Sequence, residues 1–163
     1  MTREHRRALE NAVVHWREVY GLAFVIIGDR GLAEELSQEA YLRVTKAAPN
    51  LDLERPLRNL LMTTVRNLAL NERRRRRPDA LDAERVVDED ASEPIDRLVE
   101  RERSAALNDA LAALRPAWRE AVFLKDGLGL RYREIAEVLE TSEDVIRTTL
   151  HRARQRLRAG APA

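Results

Sequence analysis

The segment 132–158 constrains the fold more than any other part of the chain, because its apolar residues keep helical spacing on both sides of one short interruption. The first apolar stripe recurs at i, i+3, i+4 and i+7, at Tyr132, Ile135, Ala136 and Leu139. After residues 140–142, a second stripe consists of Ile146, Leu150, Ala153 and Leu157. Two amphipathic helices joined by a tight turn predict a helix-turn-helix.

Two residues in the interruption are candidates for the start of the second helix. Thr141 with Asp144 three residues later fits a capping box, in which a hydroxyl and a carboxylate accept hydrogen bonds from free backbone N–H groups. Ser142 is an equally good candidate for the cap. The sequence leaves both possibilities open.

The second helix carries polar and cationic residues on the faces that its apolar stripe leaves free. They are Arg147, Thr148, His151, Arg152, Arg154, Arg156 and Arg158. Long cations in these positions can reach phosphates or guanine edges in the major groove of DNA. The competing interpretation is a solvated, arginine-rich closing helix, and the preceding helix and tight turn favour DNA recognition over it.

Composition excludes several classes of protein. The chain has 163 residues, which suits one or two small domains, and it has no cysteine, which excludes disulfides, thiol nucleophiles and thiolate zinc sites. The three histidines are scattered, and no segment resembles a nucleophile–base pair or a phosphate loop. No apolar run has the length of a membrane span, and the first residues lack a signal-peptide core. We therefore expect a cytoplasmic protein that is not an enzyme and needs no cofactor or metal.

The net charge of +1 conceals two blocks of opposite sign. Residues 54–78 hold eight arginines and two acids, whereas residues 79–96 hold eight acids and one arginine. Pro78 cannot continue a helical hydrogen-bond ladder, and Pro94 bounds a stretch without an apolar period. We expect domains at 1–78 and 95–163, joined by a flexible acidic linker at 79–94.

The first domain is predicted to be helical throughout. One apolar series has spacings of three and four: Leu9, Val13, Trp16, Tyr20, Phe24 and Ile27. Gly28-Asp29 breaks this series, a second helix ends before Pro49, and a third begins after Pro56 and continues into the arginines at 73–77. The predicted fold class is all-α, with two small helical bundles joined by the acidic linker and the helix-turn-helix in the second.

The order of these parts resembles the bacterial RNA polymerase sigma factors of the extracytoplasmic-function (ECF) group. Four stretches carry the likeness: Gly28-Asp29 with residues 33–43; residues 55–58 continuing to 66–71; the arginines 73–77; and residues 132–139 with 150–154. The resemblance implies a transcription initiation factor whose partners are core RNA polymerase, promoter DNA and an anti-sigma factor, without membrane insertion.

The resemblance also implies three groups of site residues. Core-polymerase binding falls on Glu35, Gln38, Glu39 and Leu42. Contacts to the minus-ten promoter element fall on Arg66, Asn67, Asn71, Arg73, Arg74, Arg75, Arg76 and Arg77. Recognition of the minus-thirty-five element falls on Arg147, Thr148, His151, Arg152 and Arg154. No catalytic residue and no metal ligand is implied.

The chain also departs from the family pattern. Leu57 and Leu60 stand where many relatives carry aromatic residues near the site of DNA melting. Glu140 replaces the usual glycine of the turn, where a left-handed backbone would cost about 1–2 kcal/mol. From these departures we expect an altered promoter sequence or a weaker grip on DNA. The alternatives are a sigma-like decoy that binds an anti-sigma protein and a stand-alone DNA-binding regulator.

Overall fold

A computed structural model describes residues 2–52, 54, 56–76 and 105–160, and every regular element in this part of the chain is helical. The helices are α1 (Arg3–Ala12), α2 (Trp16–Ile27), α3 (Arg30–Ala47), α4 (Leu57–Arg76), α5 (Ala105–Ala112), α6 (Pro116–Val122), α7 (Tyr132–Val138) and α8 (Glu143–Gly160). The all-α prediction is confirmed. None of the helices in the described ranges is long and apolar enough to cross a membrane.

The boundaries of α2, α3 and α4 follow the turn residues that the sequence indicated. Gly28 ends α2 with a left-handed backbone at φ 71°, and the Asp29 carboxylate accepts a hydrogen bond from the Leu32 amide at 3.0 Å to begin α3. α3 ends at Ala47, before Pro49, and α4 begins immediately after Pro56. The predicted breaks between these three helices are therefore confirmed.

The first apolar series is interrupted where the sequence predicted one continuous stripe. A 3-10 turn at Val13–His15 separates α1 from α2. Because this turn has three residues rather than 3.6 per turn, it changes the direction of the side chains that it carries. Val13 is consequently 64% exposed, and Ala12 is buried instead. The prediction of Val13 as a core residue was wrong.

The helix-turn-helix is confirmed as α7, a tight turn and α8. Of the two candidate caps, Ser142 caps α8, because its hydroxyl accepts a hydrogen bond from the Val145 amide at 3.2 Å. At the start of α7, the Arg131 amide donates to the Glu134 carboxylate at 3.1 Å. Both helices therefore begin with backbone N–H groups satisfied by nearby side chains.

Glu140 has the one left-handed non-glycine backbone among the described residues, with φ 55°. It ends α7 in a Schellman arrangement, in which the Thr141 amide donates to the Ala136 carbonyl at 2.9 Å and the Glu140 amide donates to the Glu137 carbonyl at 3.3 Å. These bonds satisfy carbonyl groups that the helix leaves without partners. The turn therefore forms without glycine, at the cost of local backbone strain.

The two halves, residues 2–76 and 105–160, share one contiguous apolar core in the described structure. Buried side chains of α2 and α4, such as Leu22 and Leu61, belong to the same cluster as Leu124, Ile135 and Leu150. α2 packs against α6, and α4 packs against α7. The π-helical turn after α6 lies close to α2, since a Cβ added to Gly21 of α2 would lie 2.8 Å from Cζ of Phe123.

We predict that Glu140→Gly stabilises the protein, because glycine adopts the left-handed backbone without a Cβ clash. The expected gain in the free energy of unfolding is about 1 kcal/mol, measured by urea denaturation. Glu140→Ala is the control, since it removes the carboxylate and keeps the Cβ. Equal stability of the alanine and glycine variants would contradict backbone strain as the cause.

Candidate nucleic-acid and protein interfaces

One face of α3 presents all four residues predicted to bind core polymerase. Glu35, Gln38, Glu39 and Leu42 recur at i, i+3, i+4 and i+7, and all four are exposed. Leu42 is 54% exposed, and Glu39 forms an exposed ion pair with Arg43 at 3.0 Å. Small buried residues such as Ala33 and Ala40 hold the opposite face of α3 in the core. The result is a continuous polar surface with an apolar end.

Tyr41, which precedes Leu42 in α3, does not belong to this surface. Its hydroxyl donates to the Ala12 carbonyl at 2.8 Å, and its ring lies 5.4 Å from the ring of Trp16. Burial, and secondarily the nearby Glu18 carboxylate, raises the pKa of Tyr41 to about 12. The tyrosine therefore stays neutral and ties α3 to the end of α1.

The predicted minus-ten residues on α4 divide between two sides of the helix. The open stripe consists of Asn67, Asn71 and Arg74, which recur at i, i+4 and i+7 and are exposed. Arg75 and Arg76 are also exposed, and both form ion pairs with Glu72, at 3.4 and 3.3 Å. Arg77 lies outside the described residues. The open stripe and these arginines form an accessible, cationic end of α4.

The covered stripe consists of Asn59, Arg66 and Arg73, spaced seven residues apart on α4, and it faces the C-terminal half. Nε of Arg66 donates to Oε1 of Glu120 at 2.7 Å, and the two side chains are only 16% and 3% exposed. Asn59 donates to the Glu134 carboxylate at 3.5 Å. Two predicted DNA contacts, Arg66 and Arg73, therefore face protein in this arrangement.

The electrostatic environment of Arg73 agrees with its position on the covered stripe. Burial is the main influence and lowers the pKa of Arg73; the Glu120 carboxylate raises it, and the Arg66 and Arg74 cations lower it. Burial lowers the pKa of Arg119, and the nearby Arg73 cation lowers it further. One carboxylate, Glu120, thus lies among several guanidinium groups from both halves.

The predicted recognition residues on α8 also divide into two sets. Thr148, His151 and Arg152 are exposed on the side opposite the buried stripe of Ile146, Leu150 and Ala153. Thr148 and Arg152 are four residues apart, about 40° around the helix axis. These three side chains are free to face a groove of DNA.

Arg147 and Arg154 lie seven residues apart on one flank of α8, and other side chains hold them. Arg147 pairs with Asp144 at 3.1 Å, and its guanidinium lies 5.5 Å from the centre of the Tyr132 ring. Arg154 pairs with Asp126 at 3.0 Å, and this hydrogen bond is the largest of the influences that raise its pKa. Both guanidinium groups are therefore already hydrogen-bonded to a carboxylate within the protein.

Two residues on the outer side of α8 were missed by sequence reasoning. Val145 is 49% exposed in the first turn, and Gln155 is exposed almost three turns further along. Their angular positions about the helix axis fall close to those of Thr148 and Arg152. The helical periodicity of the buried stripe would have identified them, but the prediction selected mainly cations.

Comparisons with known proteins agree with this geometry. Residues 14–78 match the family model of sigma-70 region 2, and residues 104–157 match that of sigma-70 region 4. The chain is 36% identical over 153 residues to the ECF RNA polymerase sigma factor SigE of Mycolicibacterium smegmatis, a match that covers 88% of this chain and 57% of that protein. It is 28% identical to the ECF sigma factor SigW of Bacillus subtilis, over 86% of this chain and 81% of that protein.

Two solved structures share the fold. The sigma factor RpoE of Bartonella quintana, in complex with the anti-sigma factor NepR, has a TM-score of 0.72 at 19% identity and covers 93% of this chain and 94% of its own. CnrH, in complex with the cytosolic domain of CnrY, has a TM-score of 0.64 at 20% identity and covers 94% of this chain and 86% of its own. With both sigma-70 regions matched in one chain, the protein belongs to the ECF group of the sigma-70 family of RNA polymerase sigma factors.

Proposed function

We propose that this chain is a transcription initiation factor that binds core RNA polymerase, directs it to a restricted set of promoters and helps to open the DNA. One observation carries the proposal: a chain with both sigma-70 regions exposes a polar face on α3 and a separate polar face on α8. The polymerase performs the bond chemistry, and this chain supplies position and sequence recognition.

The polymerase-binding role belongs to Glu35, Gln38, Glu39 and Leu42. Their exposure lets them dock without any change in α3, because the opposite face alone holds the helix in the core. Leu42 supplies an apolar contact beside hydrogen-bonding groups, a combination that suits a protein interface with a polar rim.

The DNA-binding roles belong to two helices. On α4, the open stripe and the exposed arginines contact the minus-ten region, where cations bind the phosphate backbone and amides reach the bases. On α8, Thr148, His151 and Arg152 recognise the minus-thirty-five element. Arg147 and Arg154 join them by exchanging Asp144 and Asp126 for phosphate.

An anti-sigma factor completes the proposed set of partners. The solved neighbour RpoE is a sigma factor in complex with the anti-sigma factor NepR, and CnrH is in complex with the cytosolic domain of CnrY. Because the work of this chain is on the polymerase and the chromosome, its site of action is the cytoplasm.

We predict that the triple substitution Glu35→Ala, Gln38→Ala and Glu39→Ala weakens binding to core polymerase by about 30-fold. Three lost polar contacts at about 0.7 kcal/mol each give about 2 kcal/mol. Fluorescence anisotropy of the labelled chain with purified core enzyme measures the affinity.

The matched control is Glu4→Ala, Glu10→Ala and Asn11→Ala, which removes the same chemical groups, two carboxylates and one amide, from the exposed side of α1. The control should bind core polymerase with the affinity of the unsubstituted chain. Equal loss in both triple variants would show a general charge effect and would refute α3 as the docking face.

We predict that Val145 contacts the 5-methyl group of a thymine, since an exposed apolar side chain in the first turn of a recognition helix meets the base edges of the groove. Replacing that thymine by uracil should weaken binding of the unsubstituted chain by about fourfold, the value of one buried methyl group. Val145→Ala should bind the thymine and uracil promoters equally.

Fluorescence anisotropy measures the affinity of the chain for a promoter fragment that it binds. Each thymine of the minus-thirty-five element is replaced by uracil in turn. Val14→Ala is the control, because Val14 is 75% exposed in the other half, and this variant should keep the preference for thymine. Persistence of the preference in Val145→Ala would exclude the contact.

A further inference from the structure

We propose that Asp144 recognises a cytosine of the minus-thirty-five element, because its carboxylate can accept a hydrogen bond from the N4 amino group of that base in the major groove. The inference rests on the proposed function, since it takes α8 as the recognition helix. It gives an acidic side chain a sequence-specific role beside the cations that contact phosphate.

The position of Asp144 on α8 puts its side chain in the outward-facing row of the helix. Thr148 and His151 follow it by four and seven residues, so the three side chains lie within about 60° around the helix axis. The buried Ile146 lies about 160° away from Asp144. Residues near the start of a recognition helix contact base edges, and Asp144 lies in the first turn of α8 with its side chain 95% exposed. Asp144 can therefore reach the groove that Thr148 and His151 face.

The start of α8 does not use the Asp144 carboxylate. The sequence suggested a capping box of Thr141 and Asp144, but the Ser142 hydroxyl accepts the hydrogen bond from the Val145 amide instead. Within the part of the chain that the structure describes, the Asp144 carboxylate has one partner, the Arg147 guanidinium at 3.1 Å. The carboxylate is therefore available to a hydrogen-bond donor outside the chain once Arg147 releases it.

The ion pairs of Arg147 allow this release. Its guanidinium lies 3.1 Å from the Asp144 carboxylate and 3.6 Å from the Glu143 carboxylate, so it keeps one acidic partner when Asp144 turns to DNA. When Arg147 binds phosphate, as in the proposed function, the Asp144 carboxylate needs another donor, because burying an unpaired charge at an interface is unfavourable. An amino group of a base supplies that donor.

Cytosine is the base whose edge in the major groove fits a carboxylate. Guanine and thymine present acceptor atoms there, whereas adenine and cytosine each present an amino group. Adenine also presents the N7 acceptor beside its amino group, and the negative charge of a carboxylate is repelled by that lone pair. Cytosine presents its amino group without an adjacent acceptor, so it is the base that Asp144 selects.

The test is a selection of DNA by the chain assembled with purified core polymerase. Duplexes with a randomised minus-thirty-five region are bound, recovered and sequenced for the unsubstituted chain, Asp144→Ala and Glu143→Ala. We expect the unsubstituted chain to prefer cytosine at one position by about tenfold, within the range of a specific contact to a base. Asp144→Ala should lose this preference and keep the preferences at other positions.

Glu143→Ala is the matched control, because it removes the other acidic partner of Arg147 from the same turn. The Glu143 side chain is 42% exposed and lies about 100° from Asp144 around the axis, outside the outward-facing row. Both alanine variants lose the same favourable interaction of an acid with the start of the helix dipole. Glu143→Ala should nevertheless keep the preference for cytosine.

Asp144→Asn gives a result that a purely structural role does not produce. An amide accepts a hydrogen bond from the N6 amino group of adenine and donates one to adenine N7. At the position where the unsubstituted chain prefers cytosine, Asp144→Asn should therefore prefer adenine.

The inference is overturned if Asp144→Ala selects the same bases as the unsubstituted chain at every position, or if the preference that it loses is for a base other than cytosine. An unchanged preference for cytosine in Asp144→Asn overturns it equally. Failure of the proposed function is distinguishable, because it appears already in the unsubstituted chain, which then does not assemble with the polymerase or selects no sequence.

Discussion

The structure depends on one helix, the 20-residue α4, which packs against helices of both halves. Its apolar side, with Leu61, Met62 and Val65 fully buried, forms the core against α2 and α3. Its open stripe faces solvent, and its covered stripe faces α6 and α7. Because an α-helix has only 3.6 residues per turn, each position on α4 faces the core, the solvent or the C-terminal half. The covered stripe therefore contacts protein, whereas the open stripe is accessible to solvent.

The buried ion pair between Arg66 and Glu120 specifies how the two halves pack more than it stabilises them. Transfer of both charges from water costs several kcal/mol, and their attraction repays little more than this cost. Such a pair gives little net stability, but it penalises any state in which one partner is buried alone. It therefore favours the packing of α4 against α6 that brings the two side chains together.

Local sequence determined much of the fold, because helical periodicity and turn residues act over a few neighbours. Gly28, Pro56 and the apolar stripes of α7 and α8 were sufficient to predict the helix boundaries and the helix-turn-helix. The pairing of Arg66 with Glu120, 54 positions apart, was not predictable, since it depends on how the two halves pack. The same limit applies to Arg154 with Asp126, and to Tyr41, whose hydroxyl bonds a carbonyl 29 positions away. Val13 was misplaced for a local reason, a single 3-10 turn that carries no clear signal in the sequence.

Reconstituted transcription shows whether the purified chain directs bacterial core polymerase to specific promoters in a pool of genomic promoter fragments. We expect transcripts from a small set of promoters that share paired minus-thirty-five and minus-ten elements. These transcripts should disappear when Glu35, Gln38 and Glu39 are replaced by alanine. Binding to core polymerase without any specific transcript would refute the role in initiation and favour a sigma-like decoy, and DNA binding without polymerase binding would favour a stand-alone regulator.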